Sequence, residues 1–345
     1  MNYPTTNTPT YRALVPPVGP TACQIAFIGE APGATEAQRG IPFIGAAGQL
    51  FDKLLSATGI IRSLCYITNV VKERPANNDI KHFIDIQGRK VKATAEYYEY
   101  EKALYQELSR VQANVLVPLG NVALFALTRN IGVGNWRGSV IRARAELNAR
   151  KVIPTIHPAA ALREYLFTHL IRHDLAKVVK ESEFPDFRFP ARTFHLAPGF
   201  SEAMTYLTTN MPSVIGFDIE NPVKHIVCFA VAKSPYDAMC IPLVNGYGDS
   251  YFNPDQEAEI MLALADLMQN RDVLKVGHNI KHDAYICFRD YGIVMYPIAC
   301  TSIGCKMVLP DFPKKLAFAC SIFTEIPYYK YMGGRAAGHA EVYDK

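Results

Sequence analysis

The sequence of 345 residues has no apolar run approaching the roughly 18 residues that a membrane-spanning helix needs. Its first twenty residues, Met1 to Pro20, are rich in Thr and Pro and lack an apolar core, so they read as a flexible tail and not as a signal peptide. No C-x-x-C pair occurs among the eight cysteines, and neither zinc-ligand spacing, a P-loop nor a dinucleotide-binding glycine fingerprint is present. Scattered thiols of this kind fit a reducing compartment, and the expected location is cytoplasmic. Internal repeats and low-complexity tracts are missing beyond the tail. What remains is ordinary globular material, 49% apolar and 20% charged, enough for about two domains.

The net charge of +4 is unevenly spread. Residues 1–180 hold 22 Lys and Arg against 13 Asp and Glu, and residues 181–345 hold 14 against 19. A basic half points to a polyanionic partner, and an acidic half to bound cations.

In the first half, apolar runs alternate with helical spacing. Strands are expected at Cys23–Gly29, Cys65–Val71, Asn114–Leu119 and Lys151–Thr155. Helices are expected at Ala47–Thr58, Ala95–Gln112 and Val122–Thr128, with a long polar loop over residues 73–92. This order predicts a parallel sheet with helices on both faces, whose functional residues sit at the carboxyl ends of strands. Residues 181–199 hold three prolines and little periodicity and read as a linker. A second α/β pattern follows, with strands at Ser213–Glu220, His225–Ala232, Ala238–Leu243 and Leu274–Gly277, and helices at Pro254–Gln269 and Asp283–Asp290.

Three segments of the first half stand at strand ends. They are Gly29-Glu30-Ala31-Pro32-Gly33, continued by Glu36, Pro42-Phe43 and Gly45; Ile67-Thr68-Asn69-Val70-Val71-Lys72; and Thr155-Ile156-His157-Pro158-Ala159. Together with Val117-Pro118-Leu119-Gly120-Asn121 they resemble the uracil-DNA glycosylase superfamily, nearest its family 4, over about Cys23 to Lys177. The resemblance implies a three-layer domain at residues 21–180 that excises uracil from DNA. A glycosylase takes its nucleotide out of the stack into a pocket. By resemblance Phe43 stacks on the base, Asn69 reads its edge, and Gly29 and Gly33 belong to the uracil-binding loop, whose backbone N–H groups can bind the base or a phosphate. His157 stabilises the departing uracil anion. Glu30 and Glu36 are the candidates for water and sugar charge, with Glu36 favoured for water. Lys72, Arg74 and Arg137 are candidates for DNA contact. Family 4 carries four cysteines that bind an iron–sulfur cluster, one of them in a V-K-C-R-P segment. Here that segment reads Val71-Lys72-Glu73-Arg74-Pro75, and no cysteine occurs between 66 and 227, so no cluster or other cofactor is expected in this domain.

The second half carries Phe217-Asp218-Ile219-Glu220 and Gly277-His278-Asn279-Ile280-Lys281-His282-Asp283. Carboxylates at i and i+2 of a strand share a side, so Asp218 and Glu220 can serve one cation, with Asp283 joining from a helix start. Oxygen ligands suit Mg or Mn. These motifs resemble the 3′–5′ exonuclease domain of family A DNA polymerases, phage-type ones especially. The resemblance implies a ribonuclease H-like domain at residues 200–345, with Asn279 helping to hold the substrate strand or the motif loop. The family's third motif, Tyr-x-x-x-Asp, would begin at Tyr343 and run past Lys345, so the domain is expected to be incomplete, with weak or no nuclease activity, as a fragment or as a gene product interrupted upstream of a polymerase domain. Two other readings remain open: a uracil or single-stranded DNA binding module that guides a polymerase, and an exonuclease whose first domain is only structural.

Overall fold

The computed structural model describes residues 14–88, 90–221 and 225–329. The chain divides into two compact units, residues 1–187 together with 320–345, and residues 188–319.

The first unit is built on a five-stranded sheet ordered β2-β1-β5-β7-β6. Its strands are β1 (Ile25–Gly29), β2 (Tyr66–Asn69), β5 (Val115–Pro118), β6 (Ile141–Arg142) and β7 (Lys151–Val152). Neighbours run parallel except β6, which is antiparallel to β7. β1, β2 and β5 are buried throughout, the signature of a sheet covered on both faces. Side chains alternate between the two layers. Ala26 and Ile28 join the core under α3 (Ala95–Leu108) and α4 (Asn121–Thr128). Phe27 points the other way, its ring edge-on to Phe51 of α2 (Ala46–Ala57) at 4.9 Å. Burying each of these aromatics contributes about 2–3 kcal/mol. Helices α1 (Ala34–Arg39), α5 (Val133–Trp136), α6 (Pro158–Ala161) and α7 (Leu166–Ser182) complete the unit.

Several boundaries differ from expectation. The polar stretch 73–92 is not one loop. It holds a two-stranded hairpin, β3 (Ile84–Gln87) with β4 (Lys90–Ala93), whose Ile84 and Phe83 anchor in the core. Residues 14–20, expected to be tail, are held to the sheet: Val18 exchanges both backbone hydrogen bonds with Ile67, and Val15 donates to Lys72. The expected linker is partly absorbed. α7 runs to Ser182, and the Lys151 ammonium lies 4.0 Å from the centre of the Phe184 ring.

The second unit is a mixed six-stranded sheet ordered β13-β12-β9-β10-β11-β8. Its elements are β8 (Thr193–Leu196), α8 (Phe200–Thr208), β9 (Val214–Glu220), β10 (Cys228–Ser234), β11 (Asp237–Pro242), α9 (Pro254–Gln269), β12 (Leu274–Gly277), α10 (Lys281–Tyr291), β13 (Ile298–Cys300) and α11 (Thr301–Val308). β8 falls within the expected linker but pairs in parallel with β11 as an edge strand. α9 starts at a capping box, in which Asn253 and Gln256 each bond the other's backbone N–H. The last helix, α12 (Leu316–Phe323), leads out of this unit, and from Cys320 the chain groups with the first one. The expected motif at Tyr343 lies outside the described residues. Among the described residues, no helix is long and apolar enough to cross a membrane.

Candidate active site

A cavity of about 710 Å³ opens at the carboxyl ends of β1 and β2 and beside the turn that follows β7. Glu30, Gly33, Glu36, Phe43, Asn69, Arg74 and His157 all line it, so the three sequence segments converge as expected of a parallel sheet. Gly29 lies beneath it. A Cβ there would stand 2.3 Å from Asn69 Oδ1 and 2.5 Å from Phe43 Cζ, which only glycine permits.

Asn69 ends β2 and is 3% exposed. Its Oδ1 is buried and has no hydrogen-bond partner. An acceptor buried without a partner costs about 1–3 kcal/mol. His157 precedes α6. Its Nδ1 accepts from Ala159 N–H at 3.1 Å, which leaves Nε2 as the protonated nitrogen of a neutral ring. Burial, reinforced by the Arg163 charge, lowers its pKa to about 4, so the ring is neutral at physiological pH.

Phe43 is buried, with its ring centre 5.7 Å from that of His157 and 5.5 Å from that of Phe51. Its φ of 55° lies in the left-handed region, which is costly for an aromatic residue. Gly48 makes room for this turn: a Cβ there would lie 2.1 Å from the Phe43 carbonyl. Glu36 fixes the same loop. Its Oε1 accepts from Ile44 N–H at 3.1 Å and Gly45 N–H at 2.8 Å. Its other oxygen passes so close to Gly33 that a Cβ there would be 2.8 Å away. Glu30 makes no such pair of bonds. Burial, with the Asp79 charge adding to it, pushes its carboxyl pKa up to about 7.

Of the three cations expected to meet DNA, only Arg74 is exposed at the cavity. Lys72 turns inward, where its ammonium pairs with Glu107 at 2.7 Å and donates to Thr68. Arg137 is 1% exposed and locked against Asp174, Nε donating to Oδ2 at 3.0 Å and Nη2 to Oδ1. It is a structural ion pair, because a guanidinium buried without its carboxylate would be prohibitively costly. Arg163 is a cavity cation that sequence reasoning missed. Its one sequence signal is its place six residues after His157, just beyond α6. Glu73, which stands where the resemblance puts a cluster cysteine, is 3% exposed.

In the second unit Asp218 and Glu220 sit exposed on one side of the end of β9. Asp283 is buried in the first turn of α10, and its Oδ1 accepts from Ile219 N–H at 3.4 Å. Burial raises the Asp283 pKa, with the Glu220 charge adding to it. Asn279 is exposed, with φ 68°, in the turn before α10. Among the described residues, no three His, Cys, Asp or Glu side chains are gathered closely enough to hold a metal ion.

Two family models match the chain. The uracil-DNA glycosylase superfamily covers residues 16–177, and a 3′–5′ exonuclease family covers residues 200–321. The type-4 uracil-DNA glycosylase of Archaeoglobus fulgidus is 37% identical over 154 residues, which is 43% of this chain and 71% of that one. The Pyrobaculum aerophilum type-4 enzyme is 34% identical over 167 residues, 47% of this chain and 80% of that one. Among solved structures, Brucella melitensis NrnC is 18% identical with a TM-score of 0.30, and the match spans 41% of this chain and 64% of that one. The EXO domain of Aedes aegypti Nibbler is 17% identical with a TM-score of 0.34, over 46% of this chain and 82% of that one. Both structural likenesses are too slight to place residues. The chain belongs to the uracil-DNA glycosylase superfamily, a family of N-glycosyl-bond hydrolases, and joins that domain to a 3′–5′ exonuclease domain in one polypeptide.

Proposed function

We propose that the first unit excises uracil from DNA by hydrolysing the N-glycosidic bond. The observation that carries this reading is the unpartnered Asn69 Oδ1 buried in a cavity whose other wall is a neutral His157. Uracil offers an N–H at N3 for that acceptor and a carbonyl at C4 for the Asn69 amide N–H. Cytosine offers a lone pair at N3 and an amino group at C4, the reverse pattern. A site built around a buried hydrogen bond rejects the analogue that cannot make it. Phe43 supplies the stacking face, and Arg74 and Arg163 at the rim suit the flanking phosphates.

Cleavage leaves negative charge on uracil and positive charge on the sugar. Neutral His157 stabilises the first by donating Nε2–H to the base oxygen, an electrostatic contribution with no proton transfer. Because Glu36 is committed to two backbone N–H groups, we assign it to loop positioning and pocket shape, and we give water and the sugar charge to Glu30. Glu30 must be ionised for that role, so the rate rises with pH through about 7. No cofactor is required. Glu73 replaces a cluster thiolate, and the remaining cysteines lack the family's spacing, so the donor set does not fit an iron–sulfur cluster. Purified chain should show neither iron nor visible absorbance.

For the second unit we propose a DNA-facing role with low nuclease turnover. Asp218 and Glu220 are the residues that would take Mg or Mn, which supplies charge for phosphodiester hydrolysis. Asp283 would join them from the first turn of α10. Uracil excision acts on a strand to be copied and 3′ trimming on the end being extended, so the partner implied is a DNA polymerase.

The direct test offers matched oligonucleotides with one deoxyuridine, deoxycytidine or thymidine and measures free base. Uracil alone should be released. Release of cytosine at a similar rate would refute the Asn69 reading.

A further inference from the structure

The first unit is made of two pieces of chain. Residues 14–187 form its body, and the segment from Cys320, after all of the second unit, packs back onto it. The contacts of that strap are specific. Arg137 Nη1 donates to Ser321 Oγ at 3.0 Å, inside the buried pair with Asp174. Lys177 Nζ donates to the carbonyls of Ser321 at 2.7 Å and Thr324 at 3.2 Å. Tyr328 N–H donates to Ser139 Oγ at 3.0 Å, its ring lies 5.2 Å from that of Trp136, and Lys180 pairs with Glu325.

We propose that Ser321 is a positioning residue for the uracil site: the strap closes the Arg137–Asp174 network that holds the strand end bearing His157. This rests on the glycosylase reading given above. Asp174 Oδ2 accepts from both Arg137 Nε at 3.0 Å and the Thr155 hydroxyl at 2.7 Å. Thr155 is two residues before His157. Its N–H donates to Pro118 O and its carbonyl accepts from Gly120 N–H, each at 3.0 Å. Gly120 in turn abuts His157, since a Cβ on it would stand 3.1 Å from the histidine Cβ. The neighbouring Gly138 N–H donates to Pro154 O at 2.9 Å. A guanidinium at 1% exposure needs a partner for each donor, and Ser321 satisfies the one facing the strap. The glycosylase half therefore borrows a hydroxyl from a segment 184 residues away in sequence.

The test uses the full chain with Ser321→Ala, Tyr328→Ala and the hydroxyl-retaining Ser321→Thr. Hydrogen exchange at the Gly120, Gly138 and Thr155 amides is read alongside single-turnover uracil release. Ser321→Ala should speed exchange at those three amides about tenfold, as loss of a hydrogen bond to a charged group predicts, and Tyr328→Ala, which removes the ring packed on Trp136, should speed it in the same direction, while the β1 amides stay protected. The excision rate constant should fall by a similar factor with KM unchanged, and Ser321→Thr should restore both. Unchanged exchange at the three amides would overturn the proposal, as would a uniform rise across the unit or faster exchange without slower excision. If the unmodified chain releases no uracil, the glycosylase reading fails, and the exchange data still decide whether the strap holds this strand end.

Discussion

Asn69 is the residue at which stability and function oppose each other. Its buried carbonyl accepts from no protein group. Asn69→Leu should therefore stabilise the free protein by about 1 kcal/mol while reducing uracil excision at least a hundredfold, read by thermal melting beside base release. A lower Tm together with lost activity would show that Asn69 has structural partners instead. Glu30 gives a second prediction. Its folded pKa, about 7, lies above the ordinary carboxyl value, so it favours the folded state at low pH. That contribution is fully present below about pH 4.5 and is lost as pH rises through 7. Glu30→Gln should make the protein more stable at pH 8 and remove the rate limb near pH 7. His157, with a pKa of about 4, should leave no limb between pH 5 and 8. Sequence motifs were enough to bring these residues together. They did not reveal that Lys72 and Arg137 face inward, because the carboxylates that hold them, Glu107 and Asp174, lie 35 or more residues further along the chain.

At the scale of elements, the loop from Phe43 to Gly48 sets the pocket. Phe43 takes a left-handed backbone because Glu36 ties down the two amides that follow it and Gly48 leaves space beneath its carbonyl. Gly48→Ala should destabilise the protein by about 1–3 kcal/mol and abolish excision, since the clash is with backbone that cannot swing away. Glu36→Ala should cost about 2 kcal/mol in the same loop. Chemical denaturation checks both, and an unchanged midpoint would contradict the latch. Elements were legible where their pattern was strong. The buried runs of β1, β2 and β5 and the α9 periodicity were found to within a few residues. The β3–β4 hairpin was missed because its strands are four residues long and half polar, with Asp85 and Lys92 facing each other across the pair. β8 was missed because it is an edge strand with little buried surface in a proline-rich stretch.

For the whole molecule, a basic first half and an acidic second half were readable from composition. The strap was not, because only the folded chain brings Ser321 to Arg137. The two chemistries also separate in their requirements. Excision as derived needs only side chains of the first unit, whereas any nuclease step needs a divalent cation. Asp218→Asn with Glu220→Gln should therefore leave excision within about twofold of the parent, because both lie outside the cavity. The most direct measurement of the central claim places the chain, in EDTA, on a labelled oligonucleotide with one deoxyuridine, followed by alkali. The account predicts a single break at the uracil, lost in His157→Ala and Asn69→Ala. An intact strand, single or double, would contradict it and leave the cavity as a place where uracil is bound and not removed.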